Sequence, residues 1–169
     1  MNEDLLSAFD AVRASGARGA VATLVATFGG SSKRLGSRLW VGCDGRRIGS
    51  VTLGGCVDGR VAEEAAAVAE SGQPRLVNLA LGDEDAFDFG MSCGGAIEVF
   101  IEPVPAAPLL SPLTAAIEVL RTELGARRSA VLATPLDGSP ERPVLLEDSR
   151  ARPPYGEDLH RVVLTGVAA

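Results

Sequence analysis

The chain has few of the residues that support several common kinds of functional site. Its 169 residues include three cysteines, one histidine and 4% aromatic residues. A single histidine leaves little material for a histidine-based metal site or a cysteine–histidine dyad. Three cysteines, an odd number, argue against a disulfide framework in a chain that we expect to be cytoplasmic. The scarcity of aromatic rings predicts a core built from alanine, valine and leucine.

The chain also lacks a basic charge excess, a membrane-spanning run and a secretory signal. Sixteen basic against 22 acidic residues give a net charge of −6 at pH 7, which argues against nucleic-acid binding because phosphates attract positive charge. The longest uncharged run, residues 103–117, is interrupted by four prolines. The first four residues, MNED, are acidic rather than basic. We therefore expect a cytoplasmic protein that binds neither membranes nor nucleic acid.

Hydrophobic residues make up 46% of the chain, and their spacing predicts alternating helices and strands. Helices are predicted over residues 3–15, 57–70 and 113–124, each followed closely by a glycine. Strands are predicted over residues 20–28, 38–42, 47–52, 75–81, 96–102, 129–134, 143–147 and 161–165. This order favours an α/β or α+β fold with a single mixed sheet, flanking helices and glycine-rich loops at the strand ends.

A proline-rich connector over residues 104–112 divides this pattern. We expect residues 1–104 to form one module, and residues 105–169 to add a helix and strands that complete or extend the same domain. The sequence contains no GxGxxG, so no Rossmann dinucleotide domain is predicted.

Three glycine-rich loops lie beside predicted strands, and strand ends are where open α/β sheets bind ligands. The first loop, residues 29–37, reads GGSSKRLGS. Its small residues let a ligand approach the backbone, and Lys33 and Arg34 can neutralise an anion. Such a composition is, by itself, more often that of a solvated loop.

The second loop, residues 53–56, runs through Gly54, Gly55 and Cys56 into the helix predicted from Val57. Backbone N–H groups at a helix N-terminus bind anions, and they also favour the thiolate of a cysteine in the first turn. The alternative is an ordinary turn with a small buried cysteine and with Asp58 capping the helix.

The third loop, residues 82–95, has four acidic residues within six positions, followed by Cys93, Gly94 and Gly95. These carboxylates repel one another unless they meet a cation or hydrogen-bond donors. The alternative is an acidic surface loop whose apolar residues enter the core. Cys56 and Cys93 could converge on one soft metal or sulfur centre. We expect Cys43 to be structural or on the surface.

Taken together, the segments GGSSKR, GSVTLGGCVD and LGDEDAFDFGMSCGGAIEVFIEP resemble the XdhC/CoxI family of accessory proteins for molybdenum hydroxylases. The resemblance covers residues 19–103. It implies a protein that binds the molybdenum cofactor, assists its sulfuration and inserts it into an apoenzyme of the xanthine dehydrogenase or CO dehydrogenase type. Such a protein is more a non-catalytic maturation factor than an enzyme.

The resemblance implies which positions bind the cofactor, and it places its molybdenum beside Cys56 and Cys93. The matching positions are Ser31, Ser32, Arg34, Gly54, Gly55, Cys56, Asp58, Asp83, Asp85, Cys93, Gly94 and Gly95. Asp58 stands where the family usually has glutamate. Because the chain is acidic overall, we expect the positive charge for the cofactor's phosphate to be local, at Lys33, Arg34 and Arg38.

The implied cargo is the molybdenum cofactor, with no NAD, and the implied partner is a molybdenum hydroxylase apoenzyme. A cysteine desulfurase and a second copy of this chain are further candidate partners. Many family members carry a Rossmann-like half, which a partner paralogue would have to supply here. Two other readings stay open: a small cysteine-dependent transferase, and a structural subunit that acts only with a Rossmann-bearing partner.

Overall fold

A computed structural model describes residues 2–14, 16–29, 33–52, 57–81, 95–107, 109, 111–128, 130–136, 144–146 and 162–167. Three helices lie in this part of the chain: α1 (Asn2–Ala14), α2 (Asp58–Ser71) and α3 (Pro112–Gly125). Its strands are β1 (Gly19–Gly29), β2 (Arg38–Gly42), β3 (Arg47–Gly49), β4 (Arg75–Leu81), β5 (Gly95–Val104), β6 (Ala130–Pro135), β7 (Val144–Leu146) and β8 (Val162–Val167). The chain divides into two compact units, Ala11–Ala107 and a second made of Met1–Asp10 with Pro108–Ala169.

The unit Ala11–Ala107 is built on a five-stranded sheet of order β3-β2-β1-β5-β4. Every neighbouring pair in it is antiparallel. The central strand β1 is an almost continuous apolar run, as expected for a strand that is covered on both faces. Helix α2 lies against one face and ends at Gly72, which takes the left-handed conformation (φ +69°) that favours glycine.

Small side chains dominate the contact between α2 and the sheet. One buried cluster holds alanine and valine from the helix together with residues of β1, β2, β4 and β5; its members include Ala20, Ala22, Leu39, Val61, Ala62, Ala65, Val68, Ile97, Val99 and Ile101. Alanine on both elements lets the helix approach the sheet closely. This cluster contains no aromatic ring, but Trp40 and Phe100 are buried on the other face of the same sheet, so the predicted scarcity of rings holds only for the side that α2 covers.

A β-bulge interrupts β1 near its C-terminal end. Leu24 pairs with Val99, but the next paired residue, Ala26, lies opposite Glu98, so β1 contains one extra residue. Side chains alternate between the two faces of a strand, and an extra residue therefore reverses which residues face the core. After the bulge, Phe28 lies on the face opposite α2 and is 55% exposed.

The other unit pairs α3 with a three-stranded antiparallel sheet of order β7-β6-β8. Ser111 and Thr114 form a capping box at the start of α3, where Pro112 occupies the first turn. Two hydrogen bonds of 2.7 and 3.2 Å join Arg121 of α3 to Asp10. The hydrogen bonds with Asp10 raise the pKa of Arg121. This pairing helps to explain why the first residues of the chain belong to this unit.

The fold-class prediction is confirmed in its α+β form. The described residues form two sheets rather than one, and all of their strand pairings are antiparallel rather than mixed. The reason is that the segment containing α2 carries the chain from β3, at one edge, to β4, at the other edge, from which a reversal leads to β5. None of the described helices is long and apolar enough to cross a membrane.

Candidate functional site

The first and third glycine-rich loops leave the five-stranded sheet at the same end. Gly29, the last residue of β1, pairs with Gly95, the first residue of β5, and Gly95 pairs with Leu81, the last residue of β4. The start of the first loop therefore lies beside the end of the third loop, which in turn lies beside the start of the third loop. Strand β3 runs in the same direction as β1, so the chain leaves it toward this end, but Gly49, its last residue, is level with Ala22 rather than with Gly29. We call this end of the strands, marked by Gly29, Gly95 and Leu81, the loop end.

Lys33 connects the first loop to the segment that leads into the second. Its Nζ donates a hydrogen bond of 3.4 Å to the backbone oxygen of Ser50, and the side chain is half-buried. An ammonium group has three N–H donors, so two remain for another acceptor. A single contact thus holds a positive charge between two of the three loops.

Arg34 and Leu35 lie on a tight turn whose Gly36 and Ser37 are hydrogen-bonded to the backbone of Leu24 in β1. Ser37 donates its backbone N–H to the oxygen of Arg34 at 3.1 Å, and Gly36 has φ +85°. A positive φ at the third residue of the turn identifies type II, which requires glycine there. Arg34 is exposed, and Leu35 is 60% exposed. Of the first loop's predicted site residues, Arg34 is the one that the structure describes, and its guanidinium can reach a ligand.

Asp58 ties the start of α2 to the end of the sheet. Its Oδ1 accepts a 3.2 Å hydrogen bond from the backbone N–H of Val51, a fully buried residue. The N-cap residue of the helix is Val57, and no side chain caps it. Asp58 therefore does not cap its own helix, which was the alternative interpretation of this segment. The carboxylate instead closes the segment that contains Gly54, Gly55 and Cys56.

Replacing Asp58 by alanine should destabilise this unit by about 1–3 kcal/mol, because the buried N–H of Val51 loses its acceptor. Asp58→Asn keeps an oxygen at the same position and is the matched control, for which we expect a much smaller loss. Urea unfolding followed by circular dichroism measures both. Equal losses for the two variants would show that the negative charge, not the hydrogen bond, is what matters.

Arg38 does not contribute its charge to the loops as expected from the sequence. Its Nε donates to Thr23 Oγ1 at 3.3 Å, on the sheet face opposite α2. Burial lowers the pKa of Arg38, and the nearby carboxylate of Glu102 opposes that effect. Since Glu102 is buried on the same face, the two charges balance each other within the sheet. Lys33 and Arg34 remain as the described basic residues of the first loop.

Most of the predicted site residues lie outside the described part of the chain. They are Ser31, Ser32, Gly54, Gly55, Cys56, Asp83, Asp85, Cys93 and Gly94. The approach of Cys56 to Cys93 therefore stays a prediction. In the described ranges, no group of three or more His, Cys, Asp and Glu residues is arranged to hold a metal ion. Gly95 is described, and it sits at the loop end between β1 and β4.

Cys43 lies at the opposite end of the sheet. It is exposed in the turn between β2 and β3, and its backbone N–H donates to the oxygen of Arg18 at 2.9 Å. Arg18 directly precedes β1, whereas the loop end begins at the last residue of that strand. Cys43 is therefore a natural control for the other two thiols.

Comparisons with known proteins match part of this chain to one family model and to one relative. Residues 12–80 match the model of the XdhC and CoxI family. The molybdenum cofactor insertion chaperone PaoD of Escherichia coli (strain K12) is 37% identical to this chain over 100 residues, which cover 59% of this chain and 31% of that protein. The chain thus spans about a third of that relative's length.

The fold is similar to that of a solved protein as well. A crystal structure of a xanthine dehydrogenase from Bacillus halodurans superposes with a TM-score of 0.75 at 21% identity. The superposition covers 99% of this chain and 53% of that chain. At this level of identity the likeness shows the fold alone.

Proposed function

We propose, from the premise that residues 12–80 are a module of the XdhC and CoxI family, that this chain binds the molybdenum cofactor and helps to insert it into a molybdenum hydroxylase. A relative that is 37% identical over 100 residues is a molybdenum cofactor insertion chaperone, which supports the role. The cofactor is cargo here: the chain receives it and passes it on.

The observation that carries the proposal is the common loop end. Gly29, Gly95 and Leu81 lie in one row across three strands, and Lys33 is hydrogen-bonded to Ser50. The first and third loops, which are distant in sequence, thus meet at one end of the sheet, and Lys33 links the first loop to the segment that leads into the second. A ligand with several distinct chemical groups needs such an arrangement, because different loops can then hold different parts of it.

The chemistry of the loops suits the parts of this cargo. Its phosphate is an acceptor for Lys33, Arg34 and the N–H groups of glycine-rich backbone near the start of α2. Its molybdenum carries sulfur ligands, and thiolates are suitable neighbours for such a soft centre. We therefore assign Cys56 and Cys93 to the metal end of the cargo, where they would assist sulfuration.

The negative charge of the rest of the chain favours release of the cofactor to its acceptor. The net charge is −6 at pH 7, so the positive charge at Lys33 and Arg34 is a local exception. An acidic surface favours contact with a basic patch on the acceptor and weakens retention of an anionic ligand. We propose that the acceptor is an apoenzyme of the xanthine dehydrogenase or CO dehydrogenase type.

The proposal is tested by adding the molybdenum cofactor to the purified chain and measuring co-eluting molybdenum and pterin after gel filtration. Stoichiometric amounts of both are expected. The double variant Lys33→Ala/Arg34→Ala should bind about tenfold more weakly, because it loses charge-assisted contacts with the phosphate.

The matched control for this test is Arg46→Ala/Arg47→Ala, which removes two exposed charges at the opposite end of the sheet. Its affinity should stay close to that of the natural chain. Absence of co-eluting cofactor, or equal weakening of both double variants, would contradict the proposal. Binding that appears only after a Rossmann-bearing partner is added would show that this chain is a structural subunit.

A further inference from the structure

One face of the sheet remains open next to the loop end. After the bulge in β1, Ala26 and Phe28 lie on the face opposite α2, across from Glu98 and Ala96 of β5. Asn78 and Ala80 of β4 extend the same two rows, because Asn78 pairs with Glu98 and Ala80 with Ala96. We call these six residues the Phe28 platform. Phe28 is 55% exposed, although large aromatic side chains are usually buried.

On the sheet face opposite α2, the side chains of β5 become more buried with distance from the loop end. Phe100 and Glu102 follow Glu98 at every second position and are buried, and Glu102 lies beside Arg38. Glu98 is half-buried. Among the described residues, no group donates a hydrogen bond to its carboxylate and no basic side chain forms an ion pair with it. The sequence segment AIEVFIEP therefore holds two glutamates with different surroundings. Glu102 is balanced by an arginine, and Glu98 is part of the Phe28 platform.

The platform combines an exposed aromatic ring, a carboxylate and a floor of small side chains. Ala26, Ala96 and Ala80 leave room for a flat molecule beside the ring of Phe28. A carboxylate has two acceptor oxygens, and it binds best to a pair of N–H donors side by side. Flat heteroaromatic rings stack on aromatic side chains in an offset arrangement. The ligand that fits is a planar ring with adjacent donors along one edge.

We propose that the Phe28 platform holds the pterin ring of the cargo, which deepens the proposed function and rests on it. The pterin ring carries an amino group next to a ring N–H, which together match the two oxygens of Glu98. The ring itself stacks on Phe28. Because Phe28 directly precedes Gly29 and Ala96 directly follows Gly95, the platform continues into the loop end. The phosphate and the metal therefore reach the loops while the ring rests on the sheet.

The arrangement also explains why the bulge is placed where it is. Without the extra residue, Phe28 would share the face of Leu24 and point toward the side covered by α2. The bulge turns it to the open face, diagonally across from Glu98. Bulges often serve in this way to redirect a side chain beside a functional site.

The test uses a simple pterin that lacks phosphate, dithiolene and metal, titrated into the full chain by isothermal titration calorimetry. Saturable binding with a dissociation constant below about 1 mM is expected. Glu98→Gln keeps the shape of the side chain and should weaken binding about tenfold or more, because the bidentate charged contact is lost. Phe28→Ala should weaken it about tenfold, and Phe28→Tyr, which retains the ring, should restore it.

Matched controls are Glu63→Gln, which removes an exposed carboxylate on α2, and Leu35→Ala, which removes an exposed apolar side chain from the neighbouring turn. Neither should change pterin binding. The platform is overturned if the natural chain shows no saturable binding of the simple pterin, or if the Glu98 and Phe28 variants bind it like the controls.

Failure of the platform and failure of the proposed function give different results. If the natural chain and Glu98→Gln bind the complete cofactor equally tightly, the function stands and the platform is wrong. If the natural chain does not bind the complete cofactor, both are wrong. If Glu98→Gln binds every form of the cofactor normally but no longer activates the apoenzyme, the platform instead receives an arginine of the acceptor, and the pterin assignment is wrong.

Discussion

Gly95→Ala is expected to destabilise the five-stranded unit by about 2–3 kcal/mol and to abolish cofactor binding. A Cβ at this position would lie 2.5 Å from the backbone oxygen of Phe28. That oxygen belongs to the ladder between β1 and β5, so it cannot move aside as a flexible side chain would. The start of β5 has to shift away from β1, and the ends of the first and third loops shift with it.

Thermal unfolding measures the loss of stability in Gly95→Ala, for which the unfolding midpoint should fall by roughly 10 °C or more. Gly59→Ala is the matched control, since a Cβ there meets no atom within 4 Å in the first turn of α2. It should leave stability unchanged or raise it by about 0.5 kcal/mol. If Gly95→Ala is as stable as Gly59→Ala and binds the cofactor normally, the close approach of β1 and β5 does not determine the positions of the loops at the loop end.

Cys56→Ser and Cys93→Ser are each expected to abolish activation of a molybdenum hydroxylase apoenzyme. Serine has nearly the shape of cysteine but is a poor ligand for a soft centre, so the change removes the thiolate with little effect on packing. Loss of either thiol should be enough, because we assign both to the same end of the cargo. Apoenzyme activity after incubation with the loaded chain is the measurement.

Cys43→Ser is the matched control for these variants, as this thiol is exposed in the turn at the other end of the sheet. It should activate the apoenzyme like the natural chain. Normal activation by Cys56→Ser and Cys93→Ser would contradict the assignment. A variant that binds the cofactor normally but delivers it without its terminal sulfur would favour a cysteine-dependent sulfur-transfer step.

Much of the local structure could be predicted because it depends on spacing within short segments. Apolar residues at helical intervals with a following glycine predict α2, which runs Asp58–Ser71 with Gly72 at its end. Alternation predicts β5, in which Ile97, Val99 and Ile101 are buried on one face. Asp44-Gly45 predicts the reversal between β2 and β3.

Features that depend on pairing between distant segments could not be predicted in this way. The bulge after Leu24 leaves no mark in the pattern of β1 itself, since it exists only relative to the register of β5. The different surroundings of Glu98 and Glu102 follow from which strands lie beside them. The contact from Lys33 to Ser50 joins the first loop to the segment that follows β3. For the same reason, the sequence pattern does not single out Glu98 as a site residue, although the segment AIEVFIEP belongs to the family resemblance.

The central claim is that loops carrying Cys56 and Cys93 form one pocket, and thiol cross-linking tests it most directly. In a Cys43→Ser chain these two are the remaining cysteines, and a short dimaleimide should join them within one chain. Bound cofactor should prevent the reaction. A Cys56→Ser chain, which keeps Cys43 and Cys93, should not cross-link internally, since the length of β1, about 30 Å, separates the two ends of the sheet. Failure of Cys56 and Cys93 to cross-link within one chain, with or without cofactor, would contradict the account.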